Sequence, residues 1–423
     1  MLMPFRQARS SHVTPPSWFE REDLLCPVIC DLLHEHCPGN AEGRAALAPR
    51  GSWRGNMPLG EEGVGLDSLS RLQLSTRISE FFHIHETGAE DHLLECVTLR
   101  DLHEAILFSL RQYAGALTFR SSGSVDQPHA CTHQAADLLR EAICWSEIIG
   151  ERGRIVSFVP AHHIYGFIWT VMLPSLTGLK VRRASEHGYY ATLQGLMPGD
   201  LVIAVPELWR FIDESAHSLP EDVIGVTSGA PLSRPLARSL AGRGLVRLID
   251  AFGSSETGGL GWREDFDAPF RALAHVSPDE SSDHSQSREA TCSQDRIVLS
   301  LVDGRRRTLV APDRLVWENL RHFRPLGRRD ASIIIEGHDV HPEKVRDLLL
   351  THPEVIEAAV RPDRMTGRLK AFVVPARALY DPDELAGRLR HYLKSRLPAF
   401  AMPRSIRFGT ALPRNRMGKP ADW

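Results

Sequence analysis

Apolar positions along the chain follow three successive patterns. From about residue 16 to residue 110 they keep helical spacing: Leu24, Leu25, Val28, Ile29, Leu32 and Leu33 form one stripe over 22–36, which predicts an amphipathic helix. A Gly-, Pro- and Arg-rich stretch over 38–60 interrupts the pattern. A second stripe, Leu69, Leu72, Ile78 and Phe81, opens at Asp67-Ser68, where either side chain can accept the free N–H groups of a first helical turn. A third opens at Thr98, before Leu99, Leu102 and Ile106.

From Leu117 the pattern changes to short β-runs, at 155–159, 201–205, 223–226 and 245–249, alternating with helical stripes such as 135–149 and 234–240. This alternation predicts an α/β fold with a largely parallel sheet covered by helices, and ligands then sit outside the carboxyl ends of the strands. The polar, Ser-rich segment 277–287 reads as a surface loop. After Gly327 a small α+β unit follows, with strands at 333–335, 358–360 and 371–374. A helix opening at Asp381-Pro382-Asp383-Glu384 combines an N-cap, a helix-first proline and an acidic first turn. The expected division is therefore a helical region over 1–112, a core domain over 113–326 and a C-terminal α+β domain over 327–423.

At 423 residues the chain has room for two or three domains, and 42% hydrophobic with 24% charged residues is the composition of a globular protein with a full core. The net charge of −3 supplies no electrostatic reason to expect nucleic acid or an anionic membrane as partner. The apolar runs are strand-length, far below the roughly 18–20 residues of a membrane span. The seven cysteines contain no CxxC pair, so neither a disulfide framework nor a zinc ribbon is expected, and a reducing cytoplasm fits them.

Candidate chemistry begins at Ser121-Ser122-Gly123-Ser124. Small hydroxylated residues around a glycine let backbone N–H groups and hydroxyls close on phosphate oxygens, although a plain Ser/Gly turn has the same composition. Four further signals follow in order: Pro160-Ala-His-His163-Ile-Tyr165-Gly166, Thr227-Ser228-Gly229-Ala230-Pro231, Phe252-Gly253-Ser254-Ser255-Glu256-Thr257-Gly258, and Gly327-Arg328-Arg329-Asp330. The chain closes with Leu412-Pro-Arg-Asn-Arg-Met-Gly418-Lys419 before its last four residues.

In that order these motifs, from about Leu117 onward, resemble the adenylate-forming superfamily of acyl-CoA synthetases, aryl acid ligases and peptide-synthetase adenylation domains. The resemblance implies an ATP- and Mg²⁺-dependent enzyme in which a carboxylate attacks the α-phosphorus of ATP, and a thiol such as that of coenzyme A then displaces AMP. It places Ser121 to Ser124 over the β and γ phosphates, Glu256 on Mg²⁺, Gly253, Ser254 and Ser255 against the nucleotide, Asp313 on the ribose and Arg328 beside it. It makes Lys419 the cation between carboxylate and α-phosphate, and Asp330 the hinge of the small domain. His163, Gly229 and Ala230 would border the acid, and His-Ile-Tyr is the wording of hydroxycinnamate ligases, so Tyr165 points to an aromatic acid such as 4-coumarate; packing alone would also explain either side chain.

The pattern departs from the superfamily at Asp126 and His129 in the phosphate loop, at Ile334 after the hinge and at Lys344, departures that weaken the expected ATP affinity and leave a degenerate, nonenzymatic homologue as an alternative. Val64-Gly65-Leu66-Asp67-Ser68-Leu69 resembles an acyl carrier, which would give Ser68 a 4'-phosphopantetheine arm and make this region, or a downstream acceptor protein, the recipient of the acyl group; an Asp/Ser helix cap reads the same. With this region before it, the adenylation core is shortened and resembles the short 4-coumarate:CoA ligases of the photoactive yellow protein activation type, and ligases of aryl polyene pathways. His34, His36, His83 and His85 have metal-compatible spacings but no partner fixed by a known pattern, and are expected on the surface.

Overall fold

The helical stripes become α1 (Glu22–His36), α2 (Ser68–Phe82), a short α3 (Glu90–Glu95) and α4 (Leu99–Gln112). The caps are those the sequence offers. The Asp67 carboxylate accepts the Ser70 N–H at 2.8 Å, and Thr98 and Asp101 satisfy one another's backbone N–H groups in a capping box. The computed structural model describes residues 17–36, 50–120, 129–279, 296–329, 333–335, 338–363, 366–377, 381–413 and 423.

A hairpin of β1 (Ala116–Arg120) and β2 (Ala130–Gln134) leads into α5 (Ala135–Ile149). The strands β3 (Arg154–Ser157), β4 (Val181–Arg183), β5 (Asp200–Ala204), β6 (Ile224–Thr227) and β7 (Arg247–Ser254) pair in parallel. Four antiparallel strands extend the sheet: β8 (Gly258–Arg263), β9 (Phe270–Ala272), β13 (Asp313–Asn319) and β14 (His322–Arg328). The order across the sheet is β13-β14-β9-β8-β7-β6-β5-β3-β4, so the expectation of a largely parallel sheet holds for one half only. Between β9 and β13, strands β10 (Val276–Pro278), β11 (Arg296–Ser300) and β12 (Arg306–Val310) form a separate small sheet. Its first strand takes in the start of the expected Ser-rich loop, most of which lies outside the described residues.

The helices α1 to α4 share one continuous hydrophobic core with the sheet, so the expected boundary near residue 112 does not divide the packing. Phe119 of β1 explains the continuity: it is fully buried and meets Phe81 of α2 at 5.2 Å and Phe167 at 5.4 Å, while Trp18 meets Phe167 at 5.1 Å. Edge-to-face rings at these separations add about 0.5–1.5 kcal/mol per pair beyond their burial. Glu80 of α2 adds an ionic tie, accepting from Arg120 at 2.7 Å and Arg77 at 3.2 Å.

The C-terminal part has its own core around β17 (Val355–Pro362), β18 (Leu369–Pro375) and β19 (Ser405–Phe408), preceded by a β15 (Ile333–Ile335) and β16 (His338–Val340) pair. Asp381 caps the helix Pro382–Lys394 by accepting from the Asp383 and Glu384 N–H groups, as its sequence predicts. The core domain meets this part through an Arg210–Glu357 ion pair and through Glu343, which accepts the Arg328 N–H at 3.1 Å. Glu343 stands directly after Pro342, one position before Lys344, the departure noted in the sequence.

Candidate active site

The motif 252–258 bridges two strands. Its first three residues end β7, Ser255-Glu256-Thr257 form a hairpin tip, and β8 begins at Gly258, whose φ of +70° closes the turn. Gly253 is required by the close approach of the two arms: a Cβ there would lie 2.3 Å from the Gly258 carbonyl oxygen. The Ser254 hydroxyl holds the tip by accepting the Thr257 N–H at 3.3 Å, and Glu256 is left half-buried at the apex.

A second hairpin, β13–β14, brings the nucleotide candidates alongside. Asp313 and Arg328 are direct cross-strand partners, and an Arg328 guanidinium nitrogen lies 3.6 Å from the Glu256 carboxylate. The spacing between the hairpins is set by stacked aromatics below them: Phe323 of β14 packs 5.6 Å from Phe252 and 5.8 Å from Phe270, and a Cβ at Gly261 would meet its ring at 2.8 Å. Glu256, Arg328 and Asp313, 72 residues apart at the extremes, therefore meet at one edge of the sheet, each about half-buried.

The hairpin that would present the phosphate loop is tied to the same place. His133 of β2 contacts the Ser255 carbonyl oxygen at 2.7 Å, and burial holds its pKa below the usual histidine value, so the neutral ring donates this bond at neutral pH. Ser121, Ser122, Gly123 and Ser124 lie outside the described residues, as do Asp330 and Lys419.

The acid-pocket candidates gather at the carboxyl ends of β5 and β6. The Tyr165 hydroxyl donates to the Val226 carbonyl at 3.0 Å and lies 3.3 Å from that of Ala204, and burial raises its pKa well above the ordinary tyrosine value. Its proton is thus committed to the backbone, while its oxygen can still accept. His163 stands at the N-cap position of the helix Ile164–Phe167 without a side-chain cap bond, its ring tilted against that of His162 with centroids 4.2 Å apart; although the residue is exposed, the protein packed around it lowers its pKa and favours the neutral form. Gly229, at φ +86°, and Ala230 follow β6 and are exposed, and Ser228 anchors their turn through the Ala251 carbonyl at 2.7 Å.

Sequence reasoning missed Glu141. This carboxylate on α5 is buried beneath the tip, accepting the Gly259 N–H at 2.9 Å and the Trp145 indole N–H at 3.0 Å, and burial raises its pKa. The available signal was its place on the apolar stripe Leu138, Ala142 and Trp145, where a charged residue has no reason to stand unless backbone N–H groups meet it.

As a donor set, the tip suits Mg²⁺: one accessible carboxylate with hydroxyls beside it leaves the remaining positions of an octahedron to phosphate and water. Among the described residues no helix is long and apolar enough to cross a membrane. Ser68 is exposed at the first turn of α2.

A family model described as the AMP-binding enzyme C-terminal domain matches residues 344–419. The chain is 38% identical over 405 residues to a 4-coumarate–CoA ligase of Cereibacter sphaeroides, covering 93% of this chain and 92% of that protein. It is 36% identical over 363 residues to a 4-coumarate–CoA ligase of Halorhodospira halophila, covering 85% and 89%. Its fold is similar to that of O-succinylbenzoate coenzyme A synthetase from Bacillus subtilis in complex with AMP, at a TM-score of 0.54 and 19% identity over 72% of this chain and 67% of that one. With relatives matched across nearly its whole length, the helical region included, the chain belongs to the adenylate-forming superfamily as an AMP-forming acid:thiol ligase.

Proposed function

We propose that the enzyme activates a hydroxycinnamate such as 4-coumarate with ATP as an acyl adenylate and transfers the acyl group to coenzyme A. The observation that carries this reading is the meeting of Glu256, Arg328 and Asp313 at one end of the strands whose neighbouring ends hold Tyr165. The acid's carboxylate oxygen forms a bond to the α-phosphorus as the bond to pyrophosphate breaks; thiol sulfur then attacks the acyl carbon and AMP leaves. Glu256 would hold Mg²⁺, which neutralises phosphate charge when bound. Asp313 accepts from the ribose hydroxyls, and Arg328, balanced by Glu256 in the free enzyme, turns to the nucleotide. Lys419 supplies the cation between carboxylate and α-phosphate, a point charge suited to it. His163, kept neutral, leaves room for the anionic carboxylate without fixing a competing charge.

The phenol preference follows from Tyr165. With its own proton given to Val226, its oxygen can accept a hydrogen bond from a substrate hydroxyl, and a cinnamate without that hydroxyl leaves the bond unmade. A panel of aromatic and aliphatic acids with ATP and coenzyme A, read by mass spectrometry of the thioester, tests the reading: 4-coumarate should be preferred over cinnamate, and exclusive use of aliphatic acids would reject it.

A second reading, transfer to a phosphopantetheine arm on Ser68, is favoured by the exposure of that serine beside Leu69 and Leu72, 64% and 52% exposed on the same helix. Incubation with a phosphopantetheinyl transferase and coenzyme A should then add the arm's mass to the chain and not to Ser68→Ala; no added mass rejects it.

A further inference from the structure

The end of α2 gathers two imidazoles and a carboxylate at a point that the proposed reaction does not use. His83 closes the helix in the left-handed region, at φ 56°, a conformation with a steric cost for a residue other than glycine. The chain turns there into a short 3₁₀ segment, Ile84–Thr87, anchored by the fully buried Ile84. As a result the ligand atoms of His83, His85 and Glu86 all lie within 4.8 Å of one another.

The His85–Glu86 contact is poor as an ordinary interaction and close to a ligand spacing. His85 Nε2 and the Glu86 carboxylate are 3.7 Å apart, too far for a hydrogen bond. Two ligands of a tetrahedral zinc ion, with bonds of about 2.0–2.1 Å, stand roughly 3.3 Å apart. The rings of His83 and His85 are 5.2 Å apart and tilted. His85 and Glu86 are about half exposed, so an ion can reach them from solvent.

The surroundings of His83 point the same way. Its Nε2 lies 2.9 Å from the Thr118 hydroxyl, which lies 2.8 Å from that of Thr132. In the tautomer whose Nε2–H donates to Thr118, the lone pair stands on Nδ1 and is available to a metal ion. A metal-bound histidine commonly donates its other ring N–H in this way, which fixes tautomer and ring orientation together.

We propose that His83, His85 and Glu86 bind a borderline divalent transition-metal ion of the Zn²⁺ class, with water completing the shell. Two imidazoles and one carboxylate suit Zn²⁺, whereas Mg²⁺ prefers oxygen ligands alone, so this site and the Glu256 tip select different ions. The bound ion fastens the end of α2 to β1 through His83 and Thr118, and β1 directly precedes Ser121 to Ser124, the residues expected over the phosphates.

The test uses the full chain with any affinity tag removed, titrated with Zn²⁺ by calorimetry and with Co²⁺ by visible absorption. One ion per chain should bind, give the d–d spectrum of a four- or five-coordinate site, and raise the melting temperature. His85→Ala and Glu86→Gln, both at exposed positions, should remove or strongly weaken this binding, and Thr118→Val should weaken it about 10- to 100-fold through the ring orientation of His83. Absence of Zn²⁺ binding by the parent chain, or binding of unchanged affinity in both His85→Ala and Glu86→Gln, overturns the proposal.

Discussion

Gly259 sits where the candidate catalytic hairpin meets its buried support, and replacing it with alanine puts a number on that support. The new Cβ would lie 2.4 Å from Glu141 Oε1, 2.9 Å from its Cδ and 3.3 Å from Leu273 Cδ1. Ordinary contact begins near 3.4 Å, so the carboxylate must retreat by about 1 Å. It is held in place by the Trp145 indole and by the Gly259 N–H itself, so it cannot move without breaking one of them. Overpacking of this kind costs about 1–3 kcal/mol, and losing a hydrogen bond to a carboxylate costs about 1.5–3 kcal/mol more, which gives roughly 2.5–6 kcal/mol for Gly259→Ala. Both contributions require the glutamate side chain. In a Glu141→Ala background the same substitution should therefore cost less than about 1 kcal/mol, an interaction energy of at least about 1.5 kcal/mol in a double-mutant cycle. Urea unfolding of the four proteins measures it. ATP–pyrophosphate exchange should fall with stability in Gly259→Ala, since Gly259 pairs with Gly253 beneath Glu256. Additive losses in the cycle would show that Glu141 does not support the tip.

Glu141 also predicts a pH dependence. Burial raises its folded pKa above the ordinary glutamate value of 4.5, so the stability it contributes is fully present below about pH 4.5 and is lost as pH rises through the folded value. The stability of the parent chain relative to Glu141→Gln should accordingly fall as pH is raised from 4.5, and a flat or rising difference would contradict the assignment. Lys419→Ala should lose adenylate formation by about 10²- to 10³-fold while keeping most thioester formation from supplied acyl adenylate; equal loss of both halves would count against its role. Tyr165→Phe should cut the preference for 4-coumarate over cinnamate by roughly 10-fold, the worth of one hydrogen bond of about 1.4 kcal/mol, and an unchanged ratio of kcat/KM would remove Tyr165 from the phenol pocket.

How much of this was legible in the sequence depends on how local each cause is. Asp381-Pro382-Asp383-Glu384 and Thr98 announce their helices because a cap acts within one turn. The parallel strands β3, β5 and β6 were readable as continuous apolar runs buried on both faces. The antiparallel half was not. Strand β8 is broken by Gly258, Gly259 and Gly261, β9 has only three residues, and Phe323, which packs against both, lies 62 residues beyond Gly261. The helical stripes of α1 and α2 state that one face is buried and are silent about the partner, so their merger with the sheet through Phe81, Phe119 and Phe167 could not be read. Glu256, Asp313 and Arg328 were readable as motifs one by one; their convergence needs the register of β13 against β14. His83 and His85 were noticed by spacing, while Glu86 was not, although the turn at the left-handed His83 brings the ligand atoms of all three within 4.8 Å of one another.

The central claim is that a magnesium-bound nucleotide is held at the Glu256 tip with its α-phosphorus open to a carboxylate. Acid-dependent exchange of labelled pyrophosphate into ATP measures this without involving the thiol. The account predicts exchange that requires both Mg²⁺ and 4-coumarate and drops by at least about 10²-fold in Glu256→Ala. Exchange by Glu256→Ala at the parent rate, or none from the parent chain with any acid of the panel, would contradict it.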